Sequence, residues 1–122
     1  MAEPDAMIKD YAAAWNATGA TERRALLERS VTEDVRVTEP PADLEGREAL
    51  EGRIAAYQHD FPGARIDLAS GVDEHHGWAR YAWTIVGADG SRVLDGTDVV
   101  ERSADGRLRR VVMFFGPLPG EG

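Results

Sequence analysis

The stretch WARYAWTIVGADGSRVLDGTDVVERSADGRLRRVVMFF, residues 78–115, decides the fold. Its residues alternate between apolar and polar with a period of two, the side-chain period of a strand. Three strands are expected, Trp78 to Val86, Arg92 to Glu101 and Leu108 to Phe115. They are joined by Ala88-Asp89-Gly90 and Ala104-Asp105-Gly106, which supply the turn residues a hairpin needs. Consecutive hairpins imply an antiparallel sheet.

Upstream of that ladder, Ala64 to Val72 reads as one more strand, connected by the polar turn Asp73-Glu74-His75-His76-Gly77. Before it the period changes. Leu50, Ile54, Tyr57 and Phe61 fall at i, i+4, i+7 and i+11, a helical stripe that Pro62-Gly63 terminates. Val35-Arg36-Val37-Thr38-Glu39 alternates again and is expected as a short strand stopped by Pro40-Pro41, with Pro40 to Glu45 as a loop. Met7, Ile8, Tyr11 and Trp15 mark a first helix, with Pro4 and Asp5 in its first turn and Gly19 at its exit. Thr21 is the expected N-cap of a second, short helix holding Ala25, Leu26 and Leu27. This order implies a single α+β domain spanning residues 1–122, with helices over one face of a curved sheet.

Bulk properties narrow the function. The chain has 122 residues, enough for one core, with 43% hydrophobic and 30% charged residues, a soluble globular balance. Twenty-two acidic against 14 basic residues give a formal net charge of −8, which disfavours nucleic acid and anionic membrane surfaces. Arg107, Arg109 and Arg110 form the one basic cluster and read as a solvated strand side. No apolar run approaches the roughly 20 residues that span a bilayer, and Met1 to Asp5 lacks the plan of a signal peptide. A cytoplasmic location is expected. Cysteine is absent, which excludes disulfides and thiolate metal sites. No metal or cofactor is expected. Adjacent His75 and His76 on an extended segment point to opposite sides, so they do not share an ion, and His59 serves the helix C-terminus.

Three polar residues stand out. By alternation Glu39 shares the side of Val35 and Val37. A carboxylate there is paired, protonated or open to a pocket, or else it reaches water at a frayed strand end. Asp98 shares a face with Leu94, Gly96 and Val100; alternation leaves open whether this face or the opposite one is buried. Buried, it has a raised pKa; exposed, it is an ordinary surface acid. Tyr11 lies mid-stripe between Met7 and Trp15, either as a core residue with a satisfied hydroxyl or as a hydrogen-bond donor.

Several segments resemble ketosteroid isomerase and the wider nuclear transport factor 2 superfamily, including its SnoaL-like branch. Asp10-Tyr11-Ala12-Ala13-Ala14-Trp15-Asn16-Ala17 is similar to the segment carrying the oxyanion-hole tyrosine, and Tyr11 falls on that position. Val37-Thr38-Glu39-Pro40 resembles the segment of the catalytic base, with Glu39 where the family normally has Asp. Gly96-Thr97-Asp98-Val99 resembles the strand of the second oxyanion donor, and Asp98 falls there, on the buried face. Val111 to Gly116 resembles the closing strand, whose residues at Val111, Met113 and Phe115 line the pocket.

The resemblance implies a cone-shaped, cystatin-like fold around a small-molecule pocket, with a homodimer through the open sheet face. It implies a base, Glu39, that takes a proton beside a ketone while Tyr11 and a protonated Asp98 hold the oxygen. Trp15, Tyr57, Phe61, Met113 and Phe115 would shape a cavity for a small, mostly apolar compound. Arg80 and Trp83 lie on opposite strand faces, and either is able to face the pocket. An inward Arg80 beside Asp98 would resemble the limonene epoxide hydrolase branch, where a water is activated. A third outcome is a domain of this fold that binds a ligand or dimerises without chemistry.

Overall fold

The computed structural model describes residues 5–120; Pro4, expected in the first helical turn, lies outside them. Three helices and seven strands follow in the order α1 (Ala6–Asn16), α2 (Ala20–Ser30), β1 (Val31–Glu39), β2 (Ala42–Glu45), α3 (Arg47–Asp60), β3 (Arg65–Leu68), β4 (Asp73–His75), β5 (Trp78–Val86), β6 (Arg92–Arg102) and β7 (Leu108–Phe115).

Burial follows the helical stripes. In α1, Ile8, Tyr11, Ala14 and Trp15 turn inward, and the helix ends where Ala17 adopts extended backbone. Gly19, not Thr21, occupies the N-cap of α2, its carbonyl accepting from Arg23 N at 3.0 Å. Thr21 therefore sits in the first turn. In α3, Leu50, Ile54 and Tyr57 are buried, but the helix stops at Asp60 and Phe61 leaves helical geometry with φ −128 and ψ 64.

The strands form one sheet in the order β2-β1-β7-β6-β5-β3, with β4 also pairing β5. The hairpin ladder is antiparallel as expected, but β1 runs parallel to β7. The sheet is therefore mixed. The physical reason is that β1 precedes α3 and returns to the ladder by crossover, not by a hairpin. Pro40-Pro41 does not end pairing either: the chain turns through it, and Glu39 pairs with Ala42. The expected loop is thus strand β2. The expected strand from Ala64 to Val72 is shorter, Arg65–Leu68, because Ala69 and the Ser70 hydroxyl take over the hydrogen bonds to Ala82. Part of the expected polar turn is β4, and the turn itself tightens to His76 and Gly77, with φ of 53 and 81.

Register sets the inner face. Val37 pairs with Val111, Asp98 with Met113, and Tyr81 with Asp98. Continuing the parallel register by two residues puts Glu39 level with Met113. Glu39, Met113, Asp98 and Tyr81 consequently form one row across the sheet, facing the helices. The core beneath them joins Ile8, Leu27, Leu50 and Ile54 to Val31, Val35, Val37, Val100 and Val111.

Candidate functional site

Above that row the helices leave a cavity of about 510 Å³, counting its open mouth. Tyr11, Ala12 and Trp15 of α1 and Arg53 and Tyr57 of α3 line it, with Glu39, Ile66, Leu68, Tyr81, Trp83, Ile85, Asp98, Met113 and Phe115 from the sheet. Its lining is mostly apolar with few convergent polar groups, the usual plan of a small-molecule site.

Asp98 is its deepest acid, 3% exposed. The Tyr81 hydroxyl donates to Oδ2 and the Trp83 indole Nε1 donates to Oδ1, each at 2.7 Å. Burial pushes the Asp98 carboxyl up to about 6; the Glu39 charge adds to this, and the two donors partly offset it. Trp83 reaches Asp98 because its strand partner is Gly96. A Cβ at Gly96 would lie 2.0 Å from the indole ring, so only glycine lets the ring lie across that strand.

Tyr11 is 2% exposed, and its hydroxyl has no hydrogen-bond partner among the described residues. Burial raises its pKa well above the ordinary phenol value and the charges of Asp98 and Glu39 raise it further, while the neighbouring Trp15 side chain partly offsets this. It is a neutral donor with nothing to donate to. Glu39 is buried, and Arg53 Nε donates to its Oε1 at 2.5 Å. Of the two readings the sequence left open, the carboxylate is paired and on the pocket wall.

The structure brings Tyr11, Trp15, Glu39, Tyr57, Asp98, Met113 and Phe115 to one cavity. It does not bring Phe61 or Arg80. Phe61 is 49% exposed and packs on the outer side of Tyr57, because α3 ends one residue before it. Arg80 faces solvent and pairs with Asp73, Nε to Oδ2 at 2.9 Å. Alternation decides this: Tyr81 and Trp83 take the inner face, so Arg80 takes the outer one. The His75 and His76 rings also differ from expectation. The positive φ of His76 turns them together, Nδ1 to Nδ1 at 3.0 Å. Even so, among the described residues no three His, Cys, Asp or Glu side chains are placed to hold a metal ion. His59 is exposed and lies 3.5 Å from Asp60 rather than on helix carbonyls.

Sequence reasoning did not assign Tyr81, Trp83 or Arg53 to the site. For the first two the signal was partial. Tyr81 and Trp83 lie on the apolar side of β5, but a hairpin centred on Ala88-Asp89-Gly90 sets only Val86 opposite Arg92. It is the register shift between Ile85 and Val86 that brings Tyr81 opposite Asp98 and Trp83 opposite Gly96. For Arg53 there was none, since an arginine within a helix ordinarily reads as surface.

The model of the SnoaL-like domain matches residues 8–111. The chain belongs to the SnoaL-like family. This places it in the nuclear transport factor 2-like superfamily. Among solved structures, this SnoaL-like chain is similar to a SnoaL-like protein of Agrobacterium tumefaciens described as a candidate isomerase. The two share 34% identity over 91% of this chain and 95% of the other, with a TM-score of 0.86. A protein of cystatin-like fold from Methylobium petroleophilum matches at 18% identity, covering 98% and 79% of the two chains, with a TM-score of 0.76. A candidate SnoaL-like polyketide cyclase from a Jannaschia species matches at 15% identity, covering 89% and 84%, with a TM-score of 0.70. These last two show the fold alone. A comparison with curated proteins returns no match. No helix among the described residues is long and apolar enough to cross a membrane.

Proposed function

We propose that this SnoaL-like chain moves a proton at the carbon beside a carbonyl group of a small, mostly apolar compound. The observation that carries this is the pairing of Asp98, a buried carboxyl with a pKa of about 6, with the unpartnered Tyr11 hydroxyl in one apolar cavity. A base with a pKa near the working pH is well matched to proton transfer. In this reading Asp98 takes the α-proton, the C–H electron pair moves onto the carbonyl oxygen, and Tyr11 donates a hydrogen bond to the enolate so formed. Where a C=C bond is conjugated with the enolate, the electron pair moves back through it, the double bond shifts, and the proton on Asp98 returns to the far carbon, giving an isomer. In a cyclisation the enolate carbon instead attacks a second carbonyl, and Asp98 gives its proton to the new alkoxide. The Agrobacterium relative, described as a candidate isomerase, supports the same class of reaction.

A second reading keeps Glu39 as the base and Asp98 as a protonated donor beside Tyr11. Its support is that Glu39 lines the same cavity. It requires a proton on Asp98 at the working pH, and the two hydrogen bonds donated to the Asp98 oxygens favour the ionised form instead. Water activation by an arginine beside Asp98 loses its support, because Arg80 is in solvent.

The test is exchange of the α-protons of 2-tetralone in D2O, followed by NMR. Asp98→Asn is expected to lower the enzymatic rate by about 10²–10⁴, and Tyr11→Phe by about 10²–10³. Glu39→Gln is expected to change it by less than about tenfold. Loss of the rate in Glu39→Gln with retention in Asp98→Asn would establish the second reading. Binding with no exchange by wild type would leave a non-catalytic ligand domain.

A further inference from the structure

Tyr57 offers a hydroxyl that the proton transfer does not use. Its ring packs edge-on against Trp15, 5.4 Å between centroids, and the residue is 5% exposed. The hydroxyl is buried with no hydrogen-bond partner among the described residues. A tyrosine buried this deeply ordinarily finds an acceptor, because an unpaired hydroxyl loses its hydration for nothing. Burial alone raises the Tyr57 phenol, whereas Asp98 and Glu39 both act on Tyr11. Two unpartnered phenols thus line one cavity in different surroundings, Tyr11 beside the carboxylates and Tyr57 apart from them.

We infer that the cavity takes a compound with two oxygen acceptors, a carbonyl at Tyr11 and Asp98 and a second, neutral oxygen that accepts from Tyr57. The first contact rests on the proton-transfer reading; the second stands on Tyr57. Ile66, Leu68, Ile85 and Met113 in the walls call for a carbon skeleton carrying the two oxygens. An anionic second group is disfavoured, since Asp98 and Glu39 outnumber Arg53 among the charged side chains that line the cavity.

The experiment compares dissociation constants of 2-tetralone with those of 6-methoxy- and 7-methoxy-2-tetralone by NMR titration, on wild type and Tyr57→Phe. One methoxy compound is expected to bind wild type at least about fivefold more tightly than 2-tetralone, as one added hydrogen bond allows. The gain, taken as the ratio of the two dissociation constants on the same protein, is expected to vanish in Tyr57→Phe. A missing gain, or one that survives in Tyr57→Phe and so comes from another donor such as Arg53, overturns the inference but not the proton-transfer reading. Failure of 2-tetralone to bind wild type at all overturns both. Tyr57→Phe is also expected to unfold at the same urea concentration as wild type or a higher one. A clear drop would mean that the hydroxyl is bonded within the protein, which also overturns the inference.

Discussion

Trp83 donates its indole N–H to Asp98 at 2.7 Å, and it does so from the position directly opposite Gly96 on the neighbouring strand. A bulky ring and a missing side chain on paired residues are therefore one device. It holds the buried carboxyl in place from one side, while Tyr81 holds it from the other.

Gly96→Ala tests that device. The added Cβ would sit 2.0 Å from the indole, so the ring must move and the bond to Asp98 must lengthen. Overpacking of this kind is expected to destabilise the fold by about 1–3 kcal/mol in urea unfolding. The rate of proton exchange should fall with it.

Tyr81→Phe and Trp83→Phe each remove one donor to the carboxylate. Since both donors lower the Asp98 pKa from the height that burial imposes, either variant is expected to raise it above about 6. The midpoint of the pH–rate profile should move upward in both. Hydrogen bonds to charged groups contribute about 1.5–3 kcal/mol, so the stability loss should be larger at pH 8 than at pH 4.

Asp98→Asn has a signed effect on stability. The carboxyl titrates near 6 in the folded protein against 3.8 ordinarily, so the folded state holds its proton more tightly. The contribution of Asp98 to stability is complete below about pH 4 and is lost as pH rises through 6. Asn does not titrate. The stability of the variant relative to wild type is therefore expected to increase from pH 4 to pH 8, by roughly 3 kcal/mol. Parallel urea titrations at the two pH values read this directly.

Arg53→Met leaves Glu39 as a buried, unpaired carboxylate. Breaking a buried pair from one side costs about 3–5 kcal/mol, and the part-exposed Arg53 puts this case near the lower end. The double variant Arg53→Met with Glu39→Gln should recover much of the loss. A double-mutant cycle measures the recovery.

Much of this was legible in the sequence, for reasons that differ by residue. The β5–β6–β7 ladder follows from period-two alternation and its turn residues, but the neighbours of Asp98 depend on register shifts at Ile85/Val86 and Glu101/Arg102 that no turn residue marks. The inward aspect of Glu39 follows from Val35 and Val37, and that of Tyr11 from the α1 stripe. What alternation lacks is knowledge of crossover. Nothing local to Val31–Glu39 says that it pairs in parallel with β7, or that the chain folds back through Pro40-Pro41 to pair with it again. Phe61 kept perfect helical spacing, yet the helix ended at Asp60, and spacing is blind to where a backbone leaves the helix. Arg53 was hidden because its partner, Glu39, is 14 residues away in sequence and on a different element.

The most direct test is the pH dependence of 2-tetralone α-proton exchange by the wild-type protein. With Asp98 as the base, the rate rises with pH through about 6 and then stays level, because the Tyr11 phenol titrates well above the ordinary range and remains a donor. A rate that falls as pH rises through about 6 would mean that Asp98 must keep its proton, and would contradict the account.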